Sequence, residues 1–173
     1  MNYTQLIPSP LGNILLSADE IGLTGLWFEG EKYYADALPR EHIERETPIL
    51  MDTKRWLDVY FTGREPDFTP PLHPTGSTFR MTIWRLLLQI PYGQTTTYGE
   101  LAKRLESGRM SAQAVGGAVG HNPISIIVPC HRVVGANGSL TGYAGGLDRK
   151  IRLLEIEQTD MHGLFRPKKG TAI

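Results

Sequence analysis

Three short segments near the N-terminus contain apolar and β-branched residues and are separated by turn residues such as proline, glycine, asparagine and aspartate. The segments cover residues 2–7, 14–18 and 23–28. Short runs bounded by such residues are typical of β-strands joined by tight turns. This part of the chain therefore predicts an antiparallel meander of three strands. Residues 29–47 carry many charges in a variable pattern, which does not decide whether they form a regular element.

Helical spacing of apolar residues begins after the strands and dominates the second half. The predicted helices cover residues 49–61, 78–90, 98–105, 112–120 and 147–157. Three of them begin at side chains that can accept hydrogen bonds from the free N–H groups of the first turn. These are Ser77 or Thr78, then Thr97 in a capping box with Glu100, then Ser111. Together with the meander, the helices predict an α/β chain of the α+β type.

A proline-rich segment separates the two halves of the chain. Residues 66–76 contain four prolines and a glycine, a composition typical of a linker. We predict an N-terminal α/β domain at residues 1–75, a C-terminal domain at residues 76–160, and a basic, frayed tail at residues 161–173.

The formal net charge of zero hides an uneven distribution. Residues 1–75 hold 6 Lys and Arg against 12 Asp and Glu, a balance of −6, whereas residues 76–173 hold 12 against 6, a balance of +6. A basic half is expected of a protein that binds a polyanion. Charges that segregated on a solvated surface would give the same counts, so both interpretations stay open at this point.

Composition excludes several classes of protein. No apolar run approaches the roughly 18 residues of a membrane-spanning helix, and the N-terminus lacks the basic and apolar regions of a secretory signal. The single cysteine can form neither an internal disulfide nor a thiolate zinc site. We expect a cytoplasmic protein in a reducing compartment, without membrane contact.

The predicted helix at 112–120 ends a helix-turn-helix arrangement and has an unusual composition. It contains three glycines and no charged residue, although a glycine in a helix costs about 1 kcal/mol relative to alanine. Such a helix is expected where something approaches its backbone closely, either the protein's own core or a duplex groove. Only Gln113 could read base edges, so a sequence-specific repressor is not indicated.

The only cysteine lies in the stretch PCHRV at residues 129–133. It follows the apolar run 124–128, which predicts a buried strand ending at the cysteine. Thiolate is the reactive form of cysteine, and a neighbouring imidazole or positive charge lowers the thiol pKa. Cys130 and His131 therefore permit nucleophilic catalysis. A lone cysteine beside an apolar run is also commonly a small buried hydrophobe.

Several spaced motifs together resemble one family. Asn122-Pro123, the PCHRV stretch and the YAGG sequence at residues 143–146 look like the active-site signature of the O6-alkylguanine-DNA alkyltransferases, also called methylated-DNA–protein-cysteine methyltransferases. Tyr98 and residues 114–118 match as well. The resemblance is continuous over about residues 77–158 and looser in the N-terminal half.

The resemblance implies a fold and a way of binding DNA. It implies a ribonuclease-H-like N-terminal sheet with a helix, and a winged-helix-like C-terminal domain whose helix-turn-helix enters the minor groove of double-stranded DNA. The damaged nucleotide would be flipped out of the stack, and the protein would act as a monomer without cofactor. The implied DNA-binding residues are Ser111, Ala112, Gln113, Ala114, Gly117 and Arg132. Candidates for phosphate contacts are Arg80, Arg85, Lys103, Arg104 and Arg109.

The resemblance also implies the chemistry of the site. The Cys130 thiolate would attack an alkyl group on guanine O6, while His131 takes the thiol proton through a water and Glu157 orients His131. Asn122 would steady the turn around the thiol, and the Tyr98 hydroxyl would donate to guanine N3. The residues implied in holding the base are Tyr98, Val133, Tyr143, Ala144 and Gly145. Because the thioether is stable, each molecule would react once.

Two positions depart from the family pattern. Gln113 stands where the family often has an arginine that fills the space left by the flipped base, so we expect weaker duplex binding than with arginine. The N-terminal half has no cysteine, so we do not expect the N-terminal zinc of some relatives.

Three other functions would use parts of the same pattern. A noncatalytic alkyltransferase-like binder of damaged DNA shares the fold but replaces the cysteine. A cysteine hydrolase would also use a cysteine, a histidine and an acid, but it would not need Tyr98 or the glycine-rich helix. A transcription regulator would use the helix-turn-helix, but the chain shows no effector domain. Methyl transfer to Cys130 distinguishes a methyltransferase from a noncatalytic damage binder and from a cysteine hydrolase.

Overall fold

The N-terminal half is built on a four-stranded sheet in the order β3-β2-β1-β4. The computed structural model describes residues 1–105 and 111–168. β1 (Asn2–Ile7), β2 (Ile14–Ala18) and β3 (Leu23–Phe28) pair antiparallel, which confirms the predicted meander. β4 (His42–Glu44) pairs parallel with β1 at the edge. Its three residues are exposed and too few to show a pattern in the sequence.

One helix covers this sheet. α1 (Pro48–Tyr60) begins at Thr47, whose side chain accepts a hydrogen bond from the Leu50 N–H. A proline at the first helical position suits this start, because its missing N–H would have no helical partner. Leu50, Trp56 and Tyr60 point into the core, so the helix lies over the sheet as its apolar spacing predicts.

The second half is mainly helical, with one pair of two-residue strands. Its elements are α2 (Thr78–Leu87), β5 (Thr96–Thr97), α3 (Tyr98–Lys103), α4 (Ala112–Gly120), β6 (Val133–Val134) and α5 (Leu147–Ile156). β5 and β6 pair in parallel. The caps follow the prediction: Ser77, Thr97 and Ser111 each accept a hydrogen bond from the N–H three residues later. The predicted turn at residues 106–110, with Arg109, lies outside the described residues.

The two halves share one core. The Leu26 N–H donates to the Pro123 carbonyl at 2.8 Å, and the Ser125 N–H donates back to the Leu26 carbonyl at 3.0 Å. In the linker, the His73 N–H donates to the Leu23 carbonyl at 2.7 Å. Both segments therefore lie along the free edge of β3 and satisfy hydrogen-bonding groups that an exposed edge would leave unpaired.

The described part of the C-terminal tail is docked. The Phe165 N–H donates to the Gly138 carbonyl at 3.0 Å, and its carbonyl accepts from the Leu140 N–H at 2.8 Å. Leu164 packs against Leu140 and Leu154. The prediction of a frayed tail is therefore wrong up to residue 166, because the tail carries apolar side chains among its basic ones and Arg166 pairs with Asp148. None of the helices in the described ranges combines the length and apolar character needed to cross a membrane.

Candidate active site

Cys130 lies at the start of a short 3-10 turn, Cys130–Arg132, rather than at the end of a strand. The run before it winds through the core: Ile126 has a φ of 70°, and the Val128 N–H donates to the Ile124 carbonyl at 3.1 Å. The predicted strand at 124–128 is therefore wrong. A short apolar run indicates burial, but periodicity alone does not separate a buried strand from a buried turn.

Asn122 holds this turn from within. Its Nδ2 donates to the Val128 carbonyl at 2.7 Å and to the Ile124 carbonyl at 3.3 Å, and its Oδ1 accepts from the Ile124 N–H at 3.0 Å. The same side chain also acts to lower the pKa of the Cys130 thiol. One buried amide therefore fixes the backbone of the turn that precedes the thiol.

The thiol of Cys130 is almost completely buried, at 5% exposure. Burial raises the pKa of Cys130 to about 11, although the Asn122 hydrogen bond and the Lys150 charge act in the opposite direction. Loss of solvation outweighs the neighbouring groups at this position. At neutral pH the resting side chain is a thiol, and it must lose its proton during the reaction.

His131 is a neutral proton acceptor in this setting. Its ring is fully buried, and Nε2 lies 2.6 Å from Glu157 Oε2. Burial lowers the pKa of His131 and outweighs the opposite effect of Glu157. A charged carboxylate only accepts hydrogen bonds, so Nε2 carries the proton. Nδ1 is left as an acceptor, with no hydrogen-bond partner among the described residues.

The carboxylate of Glu157 is held by donors from four residues in three segments of the chain. Oε2 accepts hydrogen bonds from His131, from the Tyr60 hydroxyl at 2.7 Å and from Arg132 at 3.1 Å. Oε1 accepts from Arg132 Nε at 2.8 Å and from the Gly93 N–H at 3.2 Å. Burial acts to raise the pKa of Glu157, but His131 and Arg132 together hold it well below its ordinary value. Glu157 is therefore a fixed negative charge behind the imidazole.

Arg132 points into the protein and not toward solvent. It is 8% exposed, and besides its two bonds to Glu157 it donates to the Ile90 carbonyl at 2.7 Å. The prediction that Arg132 binds DNA is at odds with this geometry, because its guanidinium is already occupied by a buried carboxylate and a carbonyl.

Two buried ionisable groups near the thiol were not predicted. Lys150 Nζ donates to the Val133 carbonyl at 2.6 Å and to the Thr141 carbonyl at 2.8 Å, and burial lowers the pKa of Lys150 to about 8. Glu31 accepts from the Phe28 N–H at 2.7 Å, and burial raises its pKa to about 8. For Lys150 a signal exists in the sequence, because it shares the buried face of α5 with Leu153 and Leu154.

The loop after β6 closes the site from the other side. The Tyr98 hydroxyl lies 3.1 Å from the carbonyls of both Thr141 and Gly142 and donates to them. The buried ring of Tyr143 meets His131 edge-on, with ring centroids 6.4 Å apart. A Cβ on Gly145 would fall 2.5 Å from that ring, so the close approach requires glycine at this position.

Two carbonyls of this region already have donors. The Ala144 carbonyl accepts from the Lys32 N–H at 3.0 Å, which links the loop to the N-terminal half. The Val133 carbonyl accepts from Lys150. A carbonyl has two lone pairs, so Val133 retains one acceptor position for a ligand.

An open pocket of about 560 Å³ lies between α4, Tyr33, Tyr98 and the loop at Thr141 and Gly142. On the outer face of α4, Gln113 and Gly117 are exposed, as are Ser111 and Ala112, and Ala114 is half-buried. A Cβ on Gly117 would meet nothing within 4 Å. Packing against the protein's own core therefore does not explain this glycine.

Among the candidates for phosphate contacts, Arg85, Lys103 and Arg104 are exposed and Arg80 is half-buried. Within residues 1–105 and 111–168, no group of three or more His, Cys, Asp or Glu side chains could hold a metal ion.

Two models of one protein family match nearly the whole chain. Residues 2–74 match the ribonuclease-like domain of 6-O-methylguanine DNA methyltransferase, and residues 78–159 match its DNA-binding domain. The chain belongs to this methyltransferase family. The observed sheet with its helix and the helical second half are the two parts of the family's architecture.

Relatives of this family match nearly the whole chain. A methylated-DNA–protein-cysteine methyltransferase of Methanosarcina mazei is 43% identical over 159 residues, 92% of this chain and 99% of the relative. One of Haemophilus influenzae is 42% identical over 157 residues, 90% of this chain and 86% of the relative. The crystal structure of Mycobacterium tuberculosis OGT in complex with DNA is 40% identical, with a TM-score of 0.80, over 90% of this chain and 92% of that one.

Proposed function

We propose that the protein repairs DNA by transferring the alkyl group of O6-alkylguanine to Cys130, once per molecule. The observation that carries this proposal is a single buried thiol backed by a neutral imidazole and a charged carboxylate, beside a pocket that opens at α4. Its methyltransferase relatives, named for a cysteine acceptor and methylated DNA, support the same chemistry.

The reaction begins with proton transfer, because the resting thiol is protonated. The proton of Cys130 Sγ passes through a water to Nδ1 of His131, and Glu157 stabilises the imidazolium that forms. Sγ then attacks the alkyl carbon in line, the new S–C bond forms, and the C–O6 bond breaks. The electron pair stays on the guanine, where a hydrogen bond from the Tyr98 hydroxyl to N3 stabilises it until the base takes up a proton from water.

The base would be held by main-chain groups and one aromatic wall. The Val133 carbonyl accepts from the exocyclic amine, the Ala144 N–H donates to O6, and Tyr143 with Gly145 lines the pocket. Burial raises the pKa of Tyr98, so its hydroxyl keeps its proton. It would exchange its carbonyl partners at Thr141 and Gly142 for guanine N3.

The outer face of α4 would lie in the minor groove, with the damaged nucleotide flipped into the pocket. Gly117 has room for the DNA backbone, and Gln113 would occupy the space that the base leaves. The contacts on this face also include Ser111, Ala112 and Ala114. Arg80, Arg85, Lys103 and Arg104 would contact phosphates, and Arg132 is not part of this surface.

The two halves would have different roles. Residues 76–160 carry the thiol and the DNA surface, and residues 1–75 support them. The protein would act as a monomer in a reducing, cytoplasmic compartment, where a lone nucleophilic thiol stays reduced.

The test is the intact mass after mixing with a duplex that carries one O6-methylguanine. We expect a gain of one methylene unit, about 14 Da, that maps to Cys130 and stops at one per protein. The Cys130→Ser variant should bind the same duplex without the gain. Binding of the lesion without any mass gain would contradict the proposal and indicate a damage-binding protein, whereas repeated turnover would indicate a hydrolase.

A further inference from the structure

We propose that Tyr60, a residue of the N-terminal half, is a positioning residue that sets the basicity of His131. This inference rests on the proposed function, in which His131 takes the thiol proton. The Tyr60 hydroxyl donates to Glu157 Oε2 at 2.7 Å, and His131 Nε2 lies 2.6 Å from the same oxygen. The support half of the chain therefore contributes a donor to the proton relay.

The hydroxyl of Tyr60 is fixed in place by its surroundings. The side chain is fully buried, and its ring stacks on Trp56 at 5.2 Å between centroids and meets Phe61 edge-on at 5.4 Å. Burial, reinforced by the charge of Glu157, raises the pKa of Tyr60 well above its ordinary value. Tyr60 is therefore a permanent donor to the carboxylate.

Sharing one oxygen makes the two donors competitors for its charge. A hydrogen bond from Tyr60 draws negative charge from Oε2 and places a partly positive hydrogen near His131. Both effects make the imidazolium less favourable. The charged and titratable groups around His131 and Tyr60 are Glu157, Arg132, Lys150, Cys130, Tyr143 and Tyr92. Among them, the carboxylate of Glu157 is the group that both side chains contact.

The Tyr60→Phe substitution, which removes only the hydroxyl, should raise the pKa of His131. In Tyr60→Phe, Glu157 Oε2 keeps His131 and Arg132 as donors, but His131 receives more of its charge. The imidazolium becomes more stable, so the pKa of His131 rises. Because neutral His131 is the form that accepts the thiol proton, activity is then lost at a higher pH when the solution is acidified.

The experiment compares two Tyr→Phe variants of the full chain. Tyr92 is the matched control, because its ring lies 6.3 Å from that of Tyr60 but its hydroxyl contacts the Ile156 carbonyl, at 3.5 Å, rather than the carboxylate. The readout is the single-turnover rate of methyl transfer between about pH 5 and pH 9. For Tyr60→Phe we expect the acid limb to move up by about 0.5 to 1 pH unit, with rates converging on the wild type at higher pH. For Tyr92→Phe we expect the wild-type profile.

An unchanged acid limb in Tyr60→Phe, or a loss of rate that is equal at every pH, would overturn the inference and leave Tyr60 a packing residue. Titration of the His131 imidazole by NMR gives a second readout that needs no alkyl transfer. If the wild type transfers no methyl group, the proposed function fails, and the imidazole titration still decides whether Tyr60 lowers the pKa of His131.

Discussion

Burial decides the direction of the pKa shift of the thiol, the lysine and the imidazole of the site, whereas hydrogen bonds and opposite charges decide that of Glu157. It raises the thiol pKa of Cys130 to about 11, lowers that of Lys150 to about 8 and keeps His131 neutral. The nucleophile is therefore generated during the reaction instead of being stored as a thiolate. A protected thiol suits a protein that can react once, because small electrophiles in solution meet an unreactive form.

The buried carboxyl of Glu31 leads to a prediction about how the free energy of unfolding depends on pH. Its folded pKa is about 8, against an ordinary value of 4.5. Above pH 4.5 the unfolded chain releases this proton and the folded protein does not, so the residue destabilises the fold increasingly up to about pH 8. Glu31→Gln should therefore raise the free energy of unfolding at pH 7 by up to about 3 kcal/mol.

Chemical denaturation of Glu31→Gln at about pH 7 and about pH 4 tests this prediction. Below pH 4.5 the gain should vanish, since the acid is then protonated in both states. Glu29→Gln is the control, because Glu29 is an exposed neighbour. A gain of the same size at both pH values would show that the effect is not ionisation.

At the scale of elements, α4 is divided between two tasks. Val115, Ala118 and Val119 pack in the core, while Gln113 and Gly117 lie on the open face. A helix with small residues on its outer face lets another backbone approach closely, at the expense of helix propensity. Burial of the apolar side chains on the inner face offsets the free energy that the glycines cost the helix.

Because Gln113 is exposed on α4, a substitution there can raise the affinity of the protein for DNA without disturbing the core. Gln113→Arg places a positive charge on the face proposed to meet DNA, so we expect affinity for a lesion duplex to rise roughly threefold to tenfold at about 0.1 M salt. The salt dependence should also steepen by about one phosphate contact. Fluorescence anisotropy with a labelled duplex measures both.

Met51→Arg is the matched control for this variant. Met51 is 50% exposed on α1 in the N-terminal half, and the substitution adds the same charge. If both variants bind equally tightly, net charge alone is responsible. If Gln113→Arg binds no tighter than the natural protein, α4 is not the DNA-facing helix.

For the whole molecule, the shared core makes the halves interdependent. Beside the bonds between Leu26 and the 123–125 segment, Arg149 Nε donates to the Leu11 carbonyl at 2.9 Å. We predict that a fragment of residues 76–173 unfolds at a lower temperature than the full chain, because its buried face loses β3 and Tyr60. It should also transfer methyl groups more slowly.

Thermal unfolding and the intact-mass assay on the fragment measure these losses. Added residues 1–75 should restore part of the activity if the two pieces associate. A fragment that matches the full chain in Tm and in rate would show that the N-terminal half contributes nothing to the site.

The sequence by itself determined most of the local elements and the family to which the chain belongs. The three strands end where their turn residues stand, and Ser77, Thr97 and Ser111 cap helices, because these features depend on neighbours in the chain. The motifs around Cys130 were sufficient to indicate the family. The local pattern of apolar residues and the residues of a motif both lie in short stretches of the chain, so the sequence alone is enough to recognise them.

Only the tertiary structure decided how the site works. The turn at 124–128, the inward course of Arg132 and the raised thiol pKa all depend on what surrounds each residue in space. The bond from Tyr60 to Glu157 joins positions 97 residues apart. Burial and long-range hydrogen bonds set the protonation of the site, and both arise only when distant segments pack together.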